Sequence, residues 1–419
     1  MTEHHDSPSR AAALPALDTL AAAPVPVVVA PMAGGPSTPA LVAAAIRAGG
    51  SGVLAGGMKT PEAVRAEVDA VRALLVEGTP ESAGAPVPSD APGAREAFAS
   101  PASPQPLSDA GAPLRLGVNL FVPDAANTLV RARDRRAAAA RLQAVAAFAE
   151  RLRPVAENYG AAVPSAEGAT PDPATERAQF EAFLALAEEQ AWPWVTFTFG
   201  LPAPQVFARL TDAGVVPGVT VTDVAEARAA VQAGARLLVV QGPDAGGHRG
   251  TLDPAAEPGT VPLVQLVGAV RAACPEVPLL AAGGISTAEQ ARAALEAGAD
   301  AVQAGTAFLR TPEAGTSAAH RVGMARAAGG GAGQGAGERA DTTVTRAFTG
   351  RYARGLTVPF MSEFSDAPAA YPEVNVLTGA LRKAAAAAMD LKSVHLWAGT
   401  GAHRAREVPA AEVLRTLAP

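Results

Sequence analysis

The chain has 419 residues, of which 49% are hydrophobic, 18% charged and only 4% aromatic. At roughly 150 residues per domain this is one large barrel with an appendage or a few ordinary domains, with a core built on alanine, valine and leucine. Lys+Arg number 34 against 40 Asp+Glu, a formal charge of −6, so no basic field exists to hold a polyanion and nucleic-acid binding is not expected.

The single cysteine, Cys274, excludes an intrachain disulfide and fits a reducing compartment. The opening MTEHHDSPSR has no basic-then-apolar signature. Every apolar run is broken by proline, glycine or charge before the ~18 residues of a membrane span. The expectation is a soluble cytoplasmic protein with no membrane or nucleic-acid partner. The histidines are His4, His5, His248, His320, His395 and His403. None lies at ligand spacing from Cys274 or from another histidine on a helix face, so no metal is expected.

In chain order, strand-like apolar runs fall at Val25–Ala30, Gly52–Leu54, Leu116–Leu120, Trp194–Thr198, Val219–Val221, Leu237–Val240, Pro278–Ala281 and Ala301–Ala304. Three stretches, Ala40–Gly50, Ala225–Ala235 and Ala288–Ala299, share an alanine-rich helical pattern that ends in glycine and leads into the next run. A glycine there takes φ > 0 and closes the helix, and a non-alternating apolar run suits a strand buried on both faces. Repeated α and β units with about eight strands predict an α/β fold, a (β/α)8 TIM barrel over residues 14–312. Residues 80–113, rich in Pro, Ala and Ser, read as a flexible insertion in it. Residues 313–375 read as a small helical cap with a glycine-rich loop at 329–337. Residues 376–419, with a helix over Leu377–Leu391, read as C-terminal helices returning to the barrel.

Barrel chemistry sits at the C-terminal ends of the strands, which here read PMAGG, AGG, NLF, TFGLP, TD, QGPDAGGH, GGI and AGTAF. Gly283-Gly284 after the seventh strand and Gly305-Thr306 after the eighth form the usual phosphate cradle, since glycine lets backbone N–H groups approach phosphate oxygens. Thr306 either donates its hydroxyl or caps the following turn. His248, in Gln241–Gly250 after the sixth strand, is the one histidine held on a glycine-rich rim loop, where it can donate or accept a proton. Gln241 and Asn119 offer both donor and acceptor, and Met32 lies where the first strand meets its loop. Together these residues describe a planar polar ring on a phosphate tail, flavin mononucleotide (FMN).

The segments APMAGG (30–35), LGVNLFVP (116–123), VVQGPDAGGHRG (239–250), LLAAGGI (279–285), VQAGTAFLRTPEAGTSAAHR (302–321), TRAFTGRYARGL (345–356) and HLWAGTG (395–401) resemble the nitronate monooxygenases, formerly 2-nitropropane dioxygenases. The resemblance spans nearly the whole chain outside the two low-complexity stretches. It implies an FMN-dependent barrel enzyme that oxidises alkyl nitronates such as propionate 3-nitronate with O2, without NAD(P)H, to a carbonyl product and nitrite or nitrate. It implies that Gly283, Gly284, Gly305 and Thr306 hold the phosphate. The ring would be contacted by Ala30, Met32, Asn119, Gln241 and Gly246, with Gly247 and Gln303 also binding the cofactor. His248 matches the active-site histidine and would bond the nitro oxygens or act as base. Tyr371 and Arg354 are candidates to meet an anionic substrate. A packing role for the tyrosine and a solvated basic face for Arg346, Arg351 and Arg354 are the plainer readings.

The chain departs from the family pattern at YPEVNVLTGALR (371–382), where Asn375 and Val376 replace two common histidines. The rival reading is an FMN-dependent NAD(P)H reductase of the same superfamily, an enoyl-acyl-carrier-protein or quinone reductase. A barrel that merely stores FMN is the non-enzymatic alternative. A nucleophilic-cysteine barrel of the inosine monophosphate dehydrogenase type is a poor fit, because Cys274 precedes the seventh strand, on the wrong side.

Overall fold

The computed structural model describes residues 23–77, 114–128, 135–330 and 341–419. The expected insertion at 80–113 and most of the loop at 329–337 lie outside the described residues. Eight parallel strands close on themselves: β1 (Val27–Val29), β2 (Ser51–Ala55), β3 (Leu116–Phe121), β4 (Trp194–Thr198), β5 (Val216–Val221), β6 (Leu237–Gln241), then β8 (Leu279–Ala282) and β9 (Ala301–Ala304), with β9 pairing back to β1. The chain is therefore the (β/α)8 barrel its repeats predict, and all eight expected runs are strands.

The local chemistry that sets these elements is visible at the helix ends. Thr38, Asp223 and Thr287 accept backbone N–H groups at the starts of helices Pro39–Arg47, Val224–Ala233 and Ala288–Glu296. Gly49, Gly234 and Gly298 close the same helices at φ of 90°, 113° and 108°, conformations that penalise a side chain. The strands are buried on both faces, so inward and outward residues alternate without a polar face to mark them. Outward residues such as Val29, Leu54, Val118, Phe197 and Val302 pack under the helices. Inward residues Val28, Val53, Trp194, Val216, Leu237, Val239, Leu280 and Ala301 fill the barrel itself. Each buried valine or leucine among them contributes roughly 1.5–3 kcal/mol. Trp194 lies across Gly117 on the neighbouring strand, where a Cβ would collide with the indole.

A second core lies beside the barrel. Val145, Phe148 and Leu152 of helix Arg135–Glu157, which lies between β3 and β4, pack with Phe348, Phe360, Phe364, Leu377 and Leu381 from the C-terminal third. Between 313 and 375, where helices were expected, the chain forms helices Ala318–Ala325 and Pro359–Glu363 but also a β-hairpin of β10 (Thr342–Thr345) and β11 (Ala353–Leu356). A third short strand, β7 (Gly247–His248), leaves the barrel after β6 and pairs with β11, His248 opposite Ala353. The expected helix at 377–391 is broken at Thr378, whose hydroxyl donates to Phe348 O at 2.6 Å, into Glu373–Leu377 and Gly379–Ala387. Among the described residues no helix is long and apolar enough to cross a membrane.

Candidate active site

Period-two alternation carries β3, β4, β5, β6 and β9 from an apolar or glycine bottom to a polar top, while β2 and β8 end on alanine and β1 leads into Ala30. Above Trp194 the inward positions become Thr196 and Thr198; above Leu237 and Val239 stands Gln241; above Ala301 stands Gln303. Ala30, Asn119, Thr198, Thr220, Gln241 and Gln303 thereby converge at the C-terminal mouth, the floor of a cavity of about 630 Å3. Every residue expected to bind the cofactor lines this cavity, Met32, Gly246 and Gly247 included.

The floor is only partly satisfied. Asn119 spends its Nδ2 on Thr196 O, Thr196 Oγ1 and Thr198 Oγ1, at 2.9–3.1 Å, which leaves Oδ1 free. The side chain of Gln303, a residue 8% exposed, makes no hydrogen bond among the described residues. An unpaired buried amide is costly unless a ligand completes it. Gln241 differs from expectation, because its amide braces its own loop: Nε2 donates to His248 O at 3.0 Å and Oε1 accepts from Gly250 N at 2.8 Å. Gly283 and Gly284 take φ of 108° and 76°, and their N–H groups and that of Gly305 donate to no backbone acceptor among the described residues. Thr306 does not cap the following turn: its Oγ1 accepts from Gly399 N at 2.9 Å, tying the eighth-strand loop to the C-terminal turn and leaving the hydroxyl proton to donate. A Cβ on Gly246 would strike the backbone of Ala398 and Gly399, so that glycine also serves close packing. A phosphate at the loops after β8 and β9 and a ring with alternating donors and acceptors over Asn119 and Gln303 suit these groups.

His248 sits in a box of rings: Phe199, Tyr371 and Trp397 lie at centroid distances of 5.3, 5.9 and 5.7 Å. Phe199 holds a left-handed backbone at φ 79°, costly for a non-glycine, with its carbonyl pinned by Asn127 Nδ2 and Arg351 Nη2. Burial, then the charges of Arg351 and Arg382, hold the His248 pKa down to about 3, so the imidazole is neutral at ordinary pH. Its Nε2 lies 2.9 Å from Thr349 Oγ1, and Nδ1 has no partner among the described residues. The Thr349 hydroxyl also reaches Arg351 O at 3.2 Å. When its proton goes to Nε2, Nδ1–H becomes a donor; when it goes to Arg351 O, Nδ1 carries the lone pair.

The two residues expected to meet substrate are placed otherwise. Tyr371 packs behind His248 and outside the cavity wall, its phenol pushed up to about 12 by burial. Arg354 donates to Pro243 O at 3.1 Å and Thr342 Oγ1 at 3.0 Å, bracketing the hairpin against the sixth-strand loop. Asn375 lines the cavity, whereas Val376 is 41% exposed and does not. Sequence reasoning missed Thr349, Trp397, Thr198, Thr220 and the cavity-lining Arg382. Strand alternation marks the two barrel threonines, while nothing local marks the others.

These features define a (β/α)8-barrel oxidoreductase with a ligand cavity at the strand ends. The chain belongs to the nitronate monooxygenase family, whose model matches residues 18–98 and 115–419. It is similar to the "Probable nitronate monooxygenase" of Staphylococcus aureus (strain Newman), 36% identical over 252 residues, 58% of this chain and 66% of that protein. The corresponding protein of Staphylococcus saprophyticus is 36% identical over 234 residues, 54% of this chain and 62% of that one. These matches thus span slightly less than two thirds of the relatives' length. Among solved structures, the nitroalkane oxidase from Streptomyces ansochromogenes is 36% identical with a TM-score of 0.74, covering 96% of both chains. FabK from Thermotoga maritima, 21% identical with a TM-score of 0.60 over 96% of this chain and 94% of that one, shares the fold.

Proposed function

We propose that this chain oxidises alkyl nitronates, propionate 3-nitronate among them, with O2 on bound FMN, to a carbonyl product and nitrite or nitrate. The reading rests on one observation above all: a neutral imidazole faces a cavity lined by two cations, Arg382 and Lys383, and by no carboxylate among the described residues. An imidazole with so low a pKa is a weak base for pulling a proton from the carbon of a neutral nitroalkane. It is a good hydrogen-bond donor to an oxygen that already carries negative charge. Family membership and the resemblance to the nitroalkane oxidase support oxidation of nitro compounds.

Gly283, Gly284 and Gly305 would hold the cofactor phosphate through backbone N–H groups, and Asn119 Oδ1 and Gln303 the ring edge. Held there, FMN would supply the electron-transfer chemistry between substrate and O2. His248, with its proton on Nδ1, orients the nitronate oxygens, and Thr349 sets that tautomer. Phe199, Tyr371 and Trp397 exclude water from around the imidazole, which strengthens each hydrogen bond made there. The second core carries the ring box beside the barrel mouth, and the buried Cys274 agrees with a cytoplasmic setting.

The test is the visible spectrum of the purified protein, recorded without air before and after adding propionate 3-nitronate. Flavin absorbance that bleaches without NAD(P)H supports the reading. A flavin that ignores the nitronate and bleaches with NADH replaces it with the reductase reading, and protein that takes up no FMN ends both.

A further inference from the structure

Helix Gly379–Ala387 turns one face to the cavity: Gly379, Arg382, Lys383 and Ala386 all line it, at the i, i+3, i+4, i+7 spacing of a single stripe. Three of these positions were alanine, glycine or an exposed lysine in a low-complexity run, and the fourth is a buried arginine at 9% exposure. Arg382 Nη2 donates to Asn375 O at 2.9 Å and Asn375 Oδ1 at 2.8 Å, and Nε reaches Thr378 O at 3.4 Å. Nη1 has no partner, and the guanidinium faces no carboxylate within salt-bridge distance among the described residues. The neighbouring buried cation, Arg351, is committed to Thr251 O and Phe199 O at 3.0 Å each. Arg249 likewise donates to the carbonyls of Gly242 and Gln241. Arg382 alone among these three faces the cavity with donors to spare.

A buried charge with no counter-ion is strongly disfavoured, and a guanidinium does not shed its proton to escape. Unlike Arg351 and Arg249, which carbonyls hold in the wall, Arg382 opens on the cavity, where an anion can complete it. In the function proposed above the cofactor phosphate is held elsewhere, at the loops after β8 and β9. The Arg382 charge is felt instead by His248, Tyr371 and His395, at the histidine's end of the cavity.

We propose that Arg382, positioned by Asn375, determines substrate specificity by binding an anionic group of the substrate remote from the reacting carbon. A carboxylate is the best match to the planar fork, so Arg382 would favour a nitronate that carries one over a nitronate that does not. Asn375, standing where the family commonly has histidine, presents an uncharged acceptor that fixes the fork without competing for it as a cation would. The proposal rests on the nitronate reading, and its test separates the two.

With the FMN-loaded enzyme, kcat/KM is measured for propionate 3-nitronate, which carries a carboxylate, and for ethylnitronate, which carries none. In Arg382→Gln the ratio of the two values falls by about tenfold or more, the size of a lost charge-assisted hydrogen bond, with the change in KM rather than kcat. Arg382→Lys restores part of the ratio. Succinate binding to the loaded enzyme, followed by calorimetry, weakens by about tenfold in parallel. Asn375→Ala, which keeps the charge and removes one acceptor, gives a smaller drop of the ratio in the same direction and covers the case of an Arg382→Gln protein that does not fold. An unchanged ratio in both variants, or equal losses for the two substrates, overturns the assignment while leaving nitronate oxidation standing. Wild-type protein that oxidises neither nitronate yet binds succinate through Arg382 upholds the anion site and removes the nitronate reading.

Discussion

His248 Nε2 and Thr349 Oγ1 meet at 2.9 Å although 101 positions separate them in the chain. Among the described residues the threonine hydroxyl is the one side-chain hydrogen-bond partner of the imidazole, and it decides which ring nitrogen carries the proton. Thr349→Val removes that control and leaves Nε2 buried beside a methyl group. The expected result is full flavin content and a kcat/KM for propionate 3-nitronate lower by about tenfold to a hundredfold, with most of it regained in Thr349→Ser. Steady-state oxygen uptake checks this, and a valine variant as active as the serine one removes Thr349 from the mechanism.

The depressed pKa of His248 fixes the shape of the pH profile. An imidazole that titrates at about 3 stays neutral throughout the working range, so kcat/KM for a nitronate shows no acid limb from this residue between about pH 5 and 8. His248→Asn keeps the flavin and loses most oxidation at every pH. An inflection near the ordinary histidine value, present in the wild type and absent in His248→Asn, contradicts the assignment of a neutral donor.

Gln303 allows cofactor affinity to be separated from stability. Its amide bonds nothing within the described protein, so Gln303→Leu loses no internal hydrogen bond and buries an apolar side chain of similar size. The flavin-free variant is expected to melt at or above the wild-type temperature while its Kd for FMN rises by about tenfold. Unaltered FMN affinity places the ring edge elsewhere.

His320 carries a pH-dependent part of the stability. Burial holds its pKa down to about 4; it donates to the Trp397 carbonyl and leaves Nε2 without a partner. Its folded-state pKa lies below the unfolded value of about 6.5, so unfolding takes up a proton in between. The stability it supports is present above pH 6.5 and lost as pH falls toward 4. Burial raises the carboxyl pKa of Glu176 and Glu226, which act in the opposite sense, so the comparison is between variants. In His320→Leu the slope of unfolding free energy against pH, measured by urea titration between pH 4.5 and 6.5, drops by up to about 1.4 kcal/mol per pH unit. Parallel slopes in wild type and variant would falsify this.

Gly117 and Trp194 give a test of the barrel interior. Gly117→Ala sets a methyl group against the indole on the adjacent strand, and either the indole or the strand must move. The expected destabilisation is about 1–3 kcal/mol, measured by denaturant unfolding.

The barrel was legible because glycine-closed helices and doubly buried strands leave a repeated local signature, and the rim was legible because glycines and His248 sit at strand ends. Thr198 and Thr220 were also within reach, since they share inward parity with Trp194 and Val216. The rest was not local. Thr349, Trp397 and Arg382 enter the site through the hairpin, the terminal turn and a helix face, and no spacing in the sequence connects them to His248. The hairpin itself was read as helical because alternation in TTVT is too short to stand out. Arg354 was drawn toward the substrate by its charge, yet two carbonyls and a hydroxyl hold it, as Pro243 and Thr342 are brought beside it only by folding.

The pairing of β7 with β11 also orders events during synthesis. Residues 27–304, which contain all eight barrel strands, leave the ribosome before Thr349, Ala353 and Trp397 exist. The barrel can close around its Trp194 layer while the segment holding His248 still lacks its partner strand, its hydroxyl and one wall of its ring box. A growing chain therefore acquires its strands early and its reactive surface only late, and the barrel's own outer core is completed last, by Ala410, Val413, Leu414 and Leu417.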